Sequence, residues 1–264
     1  MGSKRNLFIT TALCVTATYS VVPSVLAQPP VVRIVPEKAL KTADDFFSRG
    51  NTRYAQSNYQ GAIEDYTQAI RRSPKLSIAY ENRGNARDES GDPKGAIEDY
   101  NTALKLNPNS AGAFYNRGVT KANLKDYKGA VEDYTQALKY RPDAISAIFA
   151  RGNAKRELGD NPGALADYTQ VIQLDPKRAN ALINRGLINR RLGDNPGAIS
   201  DFNQALLLSP DDGDAYFNRG QTKGKSGDKA GALSDLQKAA DIYKASGSTQ
   251  DYQDAQDLIK QFSN

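Results

Sequence analysis

The sequence predicts an all-α solenoid, and three markers that share one spacing predict it. Arg-Gly stands at 49–50, 83–84, 117–118, 151–152, 185–186 and 219–220, each step 34 residues. Gly-Ala keeps the same 34-residue step at 61–62, 95–96, 129–130, 163–164, 197–198 and 231–232. Proline keeps it at Pro74, Pro108, Pro142, Pro176 and Pro210. A period of roughly 20–50 residues marks stacked supersecondary units, none of which buries its apolar face alone. Six such units, 43–76, 77–110, 111–144, 145–178, 179–212 and 213–246, cover 204 of the 264 residues.

Each unit reads as two helices. In 179–212, Ala181, Leu182, Ile188 and Leu192 recur at helical spacing. Gly193 supplies a left-handed stop. Asp194 is placed to cap the next helix and Pro196 suits its first turn. Ala198, Ile199, Phe202, Ala205 and Leu206 form the second buried stripe, and Pro210 ends the unit. Beyond the units, 247–264 reads as a capping helix, with Tyr252, Ala255, Ile259 and Phe262 on one face. An array needs such a cap because its last repeat otherwise exposes apolar surface.

With Gly186, Ala198, Phe202, Ala205 and Pro210, and their counterparts in the other units, the sequence resembles the tetratricopeptide repeat family. The resemblance implies a right-handed superhelix of helix-turn-helix repeats, with Gly and Ala where paired helices approach closely. It also implies a protein-binding role, with the first helix of each unit on the concave face. Two departures stand out. The family usually has Leu before the first glycine; here the residue is Arg in all six units. Three residues after that glycine it often has Tyr; here stand Arg53, Arg87, Lys121, Lys155, Asn189 and Lys223. The sixth unit also has Leu236 for the aromatic and Lys244 for the proline.

An acid repeats in step with the unusual arginine. Asp65, Asp99, Asp133, Asp167, Asp201 and Asp235 each lie 16 residues after Arg49, Arg83, Arg117, Arg151, Arg185 and Arg219. Helix pairing of the family's kind makes them a ladder of ion pairs, for which a planar guanidinium is well shaped. The competing reading points the arginines into a binding groove.

The groove implied by the resemblance carries an aromatic stripe beside an asparagine run. Its expected residues are Phe47, Asn51, Asn82, Asn85, Tyr115, Asn116, Phe149, Asn153, Asn184, Arg190, Phe217 and Asn218. Side-chain amides both donate and accept, so a spaced run can bond the backbone of an extended peptide. The alternative is that these asparagines bond neighbouring helices and the aromatics pack between repeats. Charges on the same helices are uneven: Asp88 and Glu89 fall early, and Arg156, Arg190, Arg191 and Lys225 fall late. One subtype of the family holds a C-terminal carboxylate with Lys and Asn; here Phe47 stands at the Lys position, so that ligand is not expected.

Composition narrows the chemistry. The chain has no His, which removes the commonest general base and metal ligand. No phosphate-binding glycine motif occurs. Its carboxylates mostly recur with the repeat, whereas a catalytic acid is needed once. No enzyme activity, cofactor or metal is expected. A net charge of +5, spread over the chain, does not predict nucleic acid as a partner.

Residues 1–27 are a different text. Lys4 and Arg5 precede an uncharged stretch from Leu7 to Ala27, with a small-residue cleavage site between Ala27 and Gln28. This predicts a secretory signal, with export to a periplasm, an organelle lumen or the exterior. At 21 residues the stretch is also long enough to stay as a membrane anchor. Residues 28–42, with three prolines, read as a linker. Two functional readings remain. One is a non-catalytic scaffold binding a partner's peptide or helix in the concave groove; the other is a membrane-tethered assembly factor for an envelope or photosynthetic-membrane complex.

Overall fold

The computed structural model describes residues 41–263. The expected signal or anchor (1–27), its Ala27–Gln28 cleavage site and linker residues 28–40 lie outside the described residues. Thirteen α-helices and no strand occur among those described. They pair as α1 (Ala43–Ala55) with α2 (Tyr59–Arg72), α3 (Ser77–Glu89) with α4 (Pro93–Leu106), and α5 (Ala111–Asn123) with α6 (Tyr127–Tyr140). Then come α7 (Ile145–Glu157) with α8 (Asn161–Leu174), α9 (Ala179–Arg191) with α10 (Asn195–Leu208), and α11 (Gly213–Lys225) with α12 (Lys229–Ser246). Helix α13 (Thr249–Ser263) closes the array against α12. Each helix also packs on the next in sequence, giving a right-handed all-α solenoid. The first helices α1, α3, α5 and α7 touch in succession, as do α9 and α11. No two second helices meet to the same extent, so the first helices line the inner curve.

The hairpin turns follow one rule. A residue in the left-handed region ends each first helix: Gly91, Gly159, Gly193 and Gly227 do so without a side-chain penalty, but Ser57 and Lys125 hold φ of 58° and 65° there. An Asx residue then caps the second helix. Asp92, Asp126, Asp160, Asp194 and Asp228, and Asn58 in the first unit, each accept from the N–H of the glycine three residues on. The Gly of Gly-Ala serves this cap. A Cβ on Gly95 would meet the Asp92 carboxylate at 2.1 Å, so the cap, rather than a neighbouring helix, demands glycine there.

Small and aromatic residues share the core. Ala62, Ala96, Ala130, Ala164, Ala198 and Ala232 are fully buried, and beside them sit Tyr66, Tyr100, Tyr134, Tyr168, Phe202 and Leu236. The glycine of each Arg-Gly pair makes room for that ring: a Cβ on Gly118 would lie 2.8 Å from Tyr134, and one on Gly186 2.9 Å from Phe202. With no proline at 244, α12 runs 18 residues where the other second helices run 14. Its C-terminal half, with Ala239, Ala240 and, in the extra turn, Tyr243, is the surface that Tyr252, Ala255 and Ile259 of α13 cover. Phe262 lies against Gly224, where a Cβ would come within 2.4 Å of the ring.

Candidate functional site

The arginines of the repeated pair are bidentate partners of the aspartates. Arg117 Nε and Nη2 donate to Asp133 Oδ2 and Oδ1 at 2.9 and 2.6 Å. The same fork joins Arg49 to Asp65, Arg83 to Asp99, Arg151 to Asp167, Arg185 to Asp201 and Arg219 to Asp235. All six acids are buried. The third arm of the guanidinium reaches back one unit. Arg83 Nη1 donates to Thr67 at 3.1 Å, Arg117 to Asn101 at 2.5 Å and Arg219 to Asn203 at 2.6 Å. One side chain therefore ties together its own hairpin and the previous second helix.

A second donor completes each acid, and this role was not read from the sequence. Arg53 and Arg87 stand 3.2 and 3.0 Å from the Oδ2 of Asp65 and Asp99. Lys121, Lys155 and Lys223 stand 2.8 Å from Asp133, Asp167 and Asp235. In the fifth unit the donor is the neutral Asn189, 3.0 Å from Asp201. The signal was present: these are the positions where the family's tyrosine is replaced, and they recur in step with the acid.

The asparagines join across repeats. Asn51 Oδ1 accepts from the Tyr66 hydroxyl and from Asn82 Nδ2, both at 2.9 Å. Asn85 takes the same two bonds from Tyr100 and Asn116, and Asn153 from Tyr168 and Asn184. Two donors thus fix each carbonyl, while the amide N–H groups of Asn51, Asn85 and Asn153 donate to no atom among the described residues. Tyr54, Tyr66 and the three asparagines 51, 82 and 85 wall a shallow recess. Burial pushes the Tyr66 hydroxyl up to about 12, so it stays a donor at neutral pH.

The aromatic stripe leans on the second-helix rings. Phe47 meets Tyr66, and Tyr115 meets Tyr134, at centroid distances of 5.8 Å. Phe217 lies 6.4 Å from Tyr243. Two expected groove residues are not offered to solvent. Phe149 is buried against Tyr168 with the Arg178 guanidinium over its ring. Asn218 is buried and donates to the Asp214 carbonyl of its own helix. Phe149 leans on its ring as Phe47 and Tyr115 do and is further covered by Arg178, while the bond to Asp214 turns Asn218 back on its own helix.

Charge lies unevenly along this face. Glu81 accepts from Ser110 and Asp88 from Thr120, both at 2.9 Å and both half-buried. Burial raises both carboxyls above their ordinary range, with those hydrogen bonds, and for Glu81 the Arg141 charge, opposing it. Three units from Asp88, at the same place in the repeat, Arg190 donates to Gln221 at 2.6 Å. Burial and the adjacent Arg191 lower its pKa. Arg156 is shared between Asn184 and Glu157.

A family profile described as tetratricopeptide repeat matches residues 47–111, 81–145, 149–212 and 190–247. The chain belongs to the tetratricopeptide repeat family. No curated protein matches it. Among solved structures, YrrB, described as a tetratricopeptide repeat protein with an unusual peptide-binding site, is 26% identical with a TM-score of 0.63, over 68% of this chain and 93% of that one. MamA is 22% identical with a TM-score of 0.61, over 62% and 96%. The pilF protein of Pseudomonas aeruginosa has a TM-score of 0.68 at 15% identity, over 82% and 97%. The last two are similar to this chain in fold alone.

Proposed function

We propose that this chain is a non-catalytic scaffold that holds an extended peptide or a helix of a partner protein against the inner face of its first helices. The supporting observation is the clamped asparagines. Each carbonyl of Asn51, Asn85 and Asn153 is held by two donors, which orients the amide and leaves its N–H groups for a backbone acceptor. Pre-ordered donors lower the entropic cost of binding an extended chain. Phe47, Tyr115 and Phe217 supply half-buried rings beside them, a residue class enriched at binding hot spots. YrrB, a family member with a peptide-binding site, lends the reading weight. Export rests on the leader at 1–27, and the intact mass of the native protein tests it, since loss of those residues removes the anchor reading.

The test of binding is capture from native cells by in-cell crosslinking, with an Asn82→Ala/Tyr115→Ala/Asn116→Ala variant as control. One set of proteins crosslinked by the wild type and lost with a folded variant supports the inner face. The same set crosslinked by both moves binding to another surface.

A further inference from the structure

We propose that the inner face selects segments of opposite charge at their two ends: basic residues beside repeat two and acidic residues beside repeat five. This rests on the inner-face reading of function. Glu81 and Asp88 of α3 form no ion pair among the described residues; hydroxyls of Ser110 and Thr120 are their hydrogen-bond donors. Arg190 of α9 likewise has no carboxylate partner there, and Gln221 Oε1 and the Asn218 carbonyl accept from it. Asp88 and Arg190 each bond to the next first helix, so both lie where successive first helices meet on the inner curve.

The contrast with the rest of the molecule carries the point. Every aspartate of the repeated ladder is neutralised by an arginine and most by a second cation. Among the described residues, Glu81, Asp88 and Arg190 instead hydrogen-bond only to neutral groups, with the Arg141 charge acting on Glu81 from farther off. A partly desolvated charge with a neutral partner interacts more strongly with an incoming opposite charge than an exposed one does. Packed helices lie about 8–10 Å apart, so three steps from α3 to α9 span roughly 25–30 Å. An extended chain covers about 3.3 Å per residue, which sets the two charged ends about eight or nine residues apart.

The test is retention of a displayed library of random peptides, about 16 residues long, on the immobilised full chain, with the retained sequences read out. The expected result is enrichment of about tenfold or more for peptides with basic residues at one end and acidic residues eight or nine positions away. In a Glu81→Gln/Asp88→Lys/Arg190→Glu variant the preferred polarity should reverse. If that variant does not fold, Glu81→Gln/Asp88→Asn/Arg190→Gln should abolish the polarity while retention persists. Retained peptides with no charge polarity overturn this inference and leave the inner-face function standing. Retention unchanged in the folded Asn82→Ala/Tyr115→Ala/Asn116→Ala variant, or no retention at all, overturns both.

Discussion

A buried aspartate needs its full complement of donors, and the six units differ in who supplies the second one. Arg151 and Arg185 make nearly the same bonds to Asp167 and Asp201, and each has its third arm 3.5 Å from a threonine of the previous unit. Their acids differ: Asp167 keeps Lys155 when the arginine is lost, whereas Asp201 keeps only the neutral Asn189. Removing one partner of a buried pair costs about 3–5 kcal/mol when the other charge is left alone. Arg185→Ala should therefore lower stability by about that much, and Arg151→Ala by roughly half of it, with Lys155 still in place. Urea unfolding of the two variants decides; equal losses would show that the lysine contributes nothing. The glycine beside the arginine makes a separate demand. Gly118→Ala puts a Cβ 2.8 Å from the Tyr134 ring, and overpacking of that kind costs about 1–3 kcal/mol.

At the level of the element, the turns show where the chain accepts strain. Lys125 holds φ of 65° at the place where Gly91, Gly159, Gly193 and Gly227 stand in other units. Lys125→Gly should raise stability by about 0.5–1 kcal/mol, the left-handed penalty less the added freedom of the unfolded chain. A thermal melt with no gain would mean that the loop already relaxes the strain. The periodic sequence made these helix pairs legible, because the buried stripes, the turn glycines and the caps all repeat with one step. It could not show that Asn51, Asn85 and Asn153 accept from a tyrosine of the second helix, since that bond depends on how two helices cross. Nor could it show that Phe149 and Asn218 are buried. The second cation was legible in principle: Arg53, Arg87, Lys121, Lys155 and Lys223 mark one position, but they read only as departures until the acid was placed beside them.

On the scale of the whole molecule, the array spends stability along its inner curve. Raised carboxyl pKa values mean that the folded state of Glu81 and Asp88 binds protons more readily than the unfolded chain does. Between the ordinary carboxylate range and the raised folded values, stability therefore falls as pH rises, and the cost is fully present at neutral pH. A Glu81→Gln/Asp88→Asn variant keeps an acceptor for Ser110 and for Thr120 but removes the charge. It should be more stable than the wild type at pH 7, by less than about 1 kcal/mol because solvent screens half-buried groups. The gain should vanish below the ordinary carboxylate range, where both states of the wild type are protonated. Paired melts across that range measure the difference directly. A gain at neutral pH together with weaker binding of basic segments would mean that repeat two keeps its carboxylates for a partner, at the expense of its own fold. A loss of stability at pH 7 would mean instead that the charges hold α3 against α5.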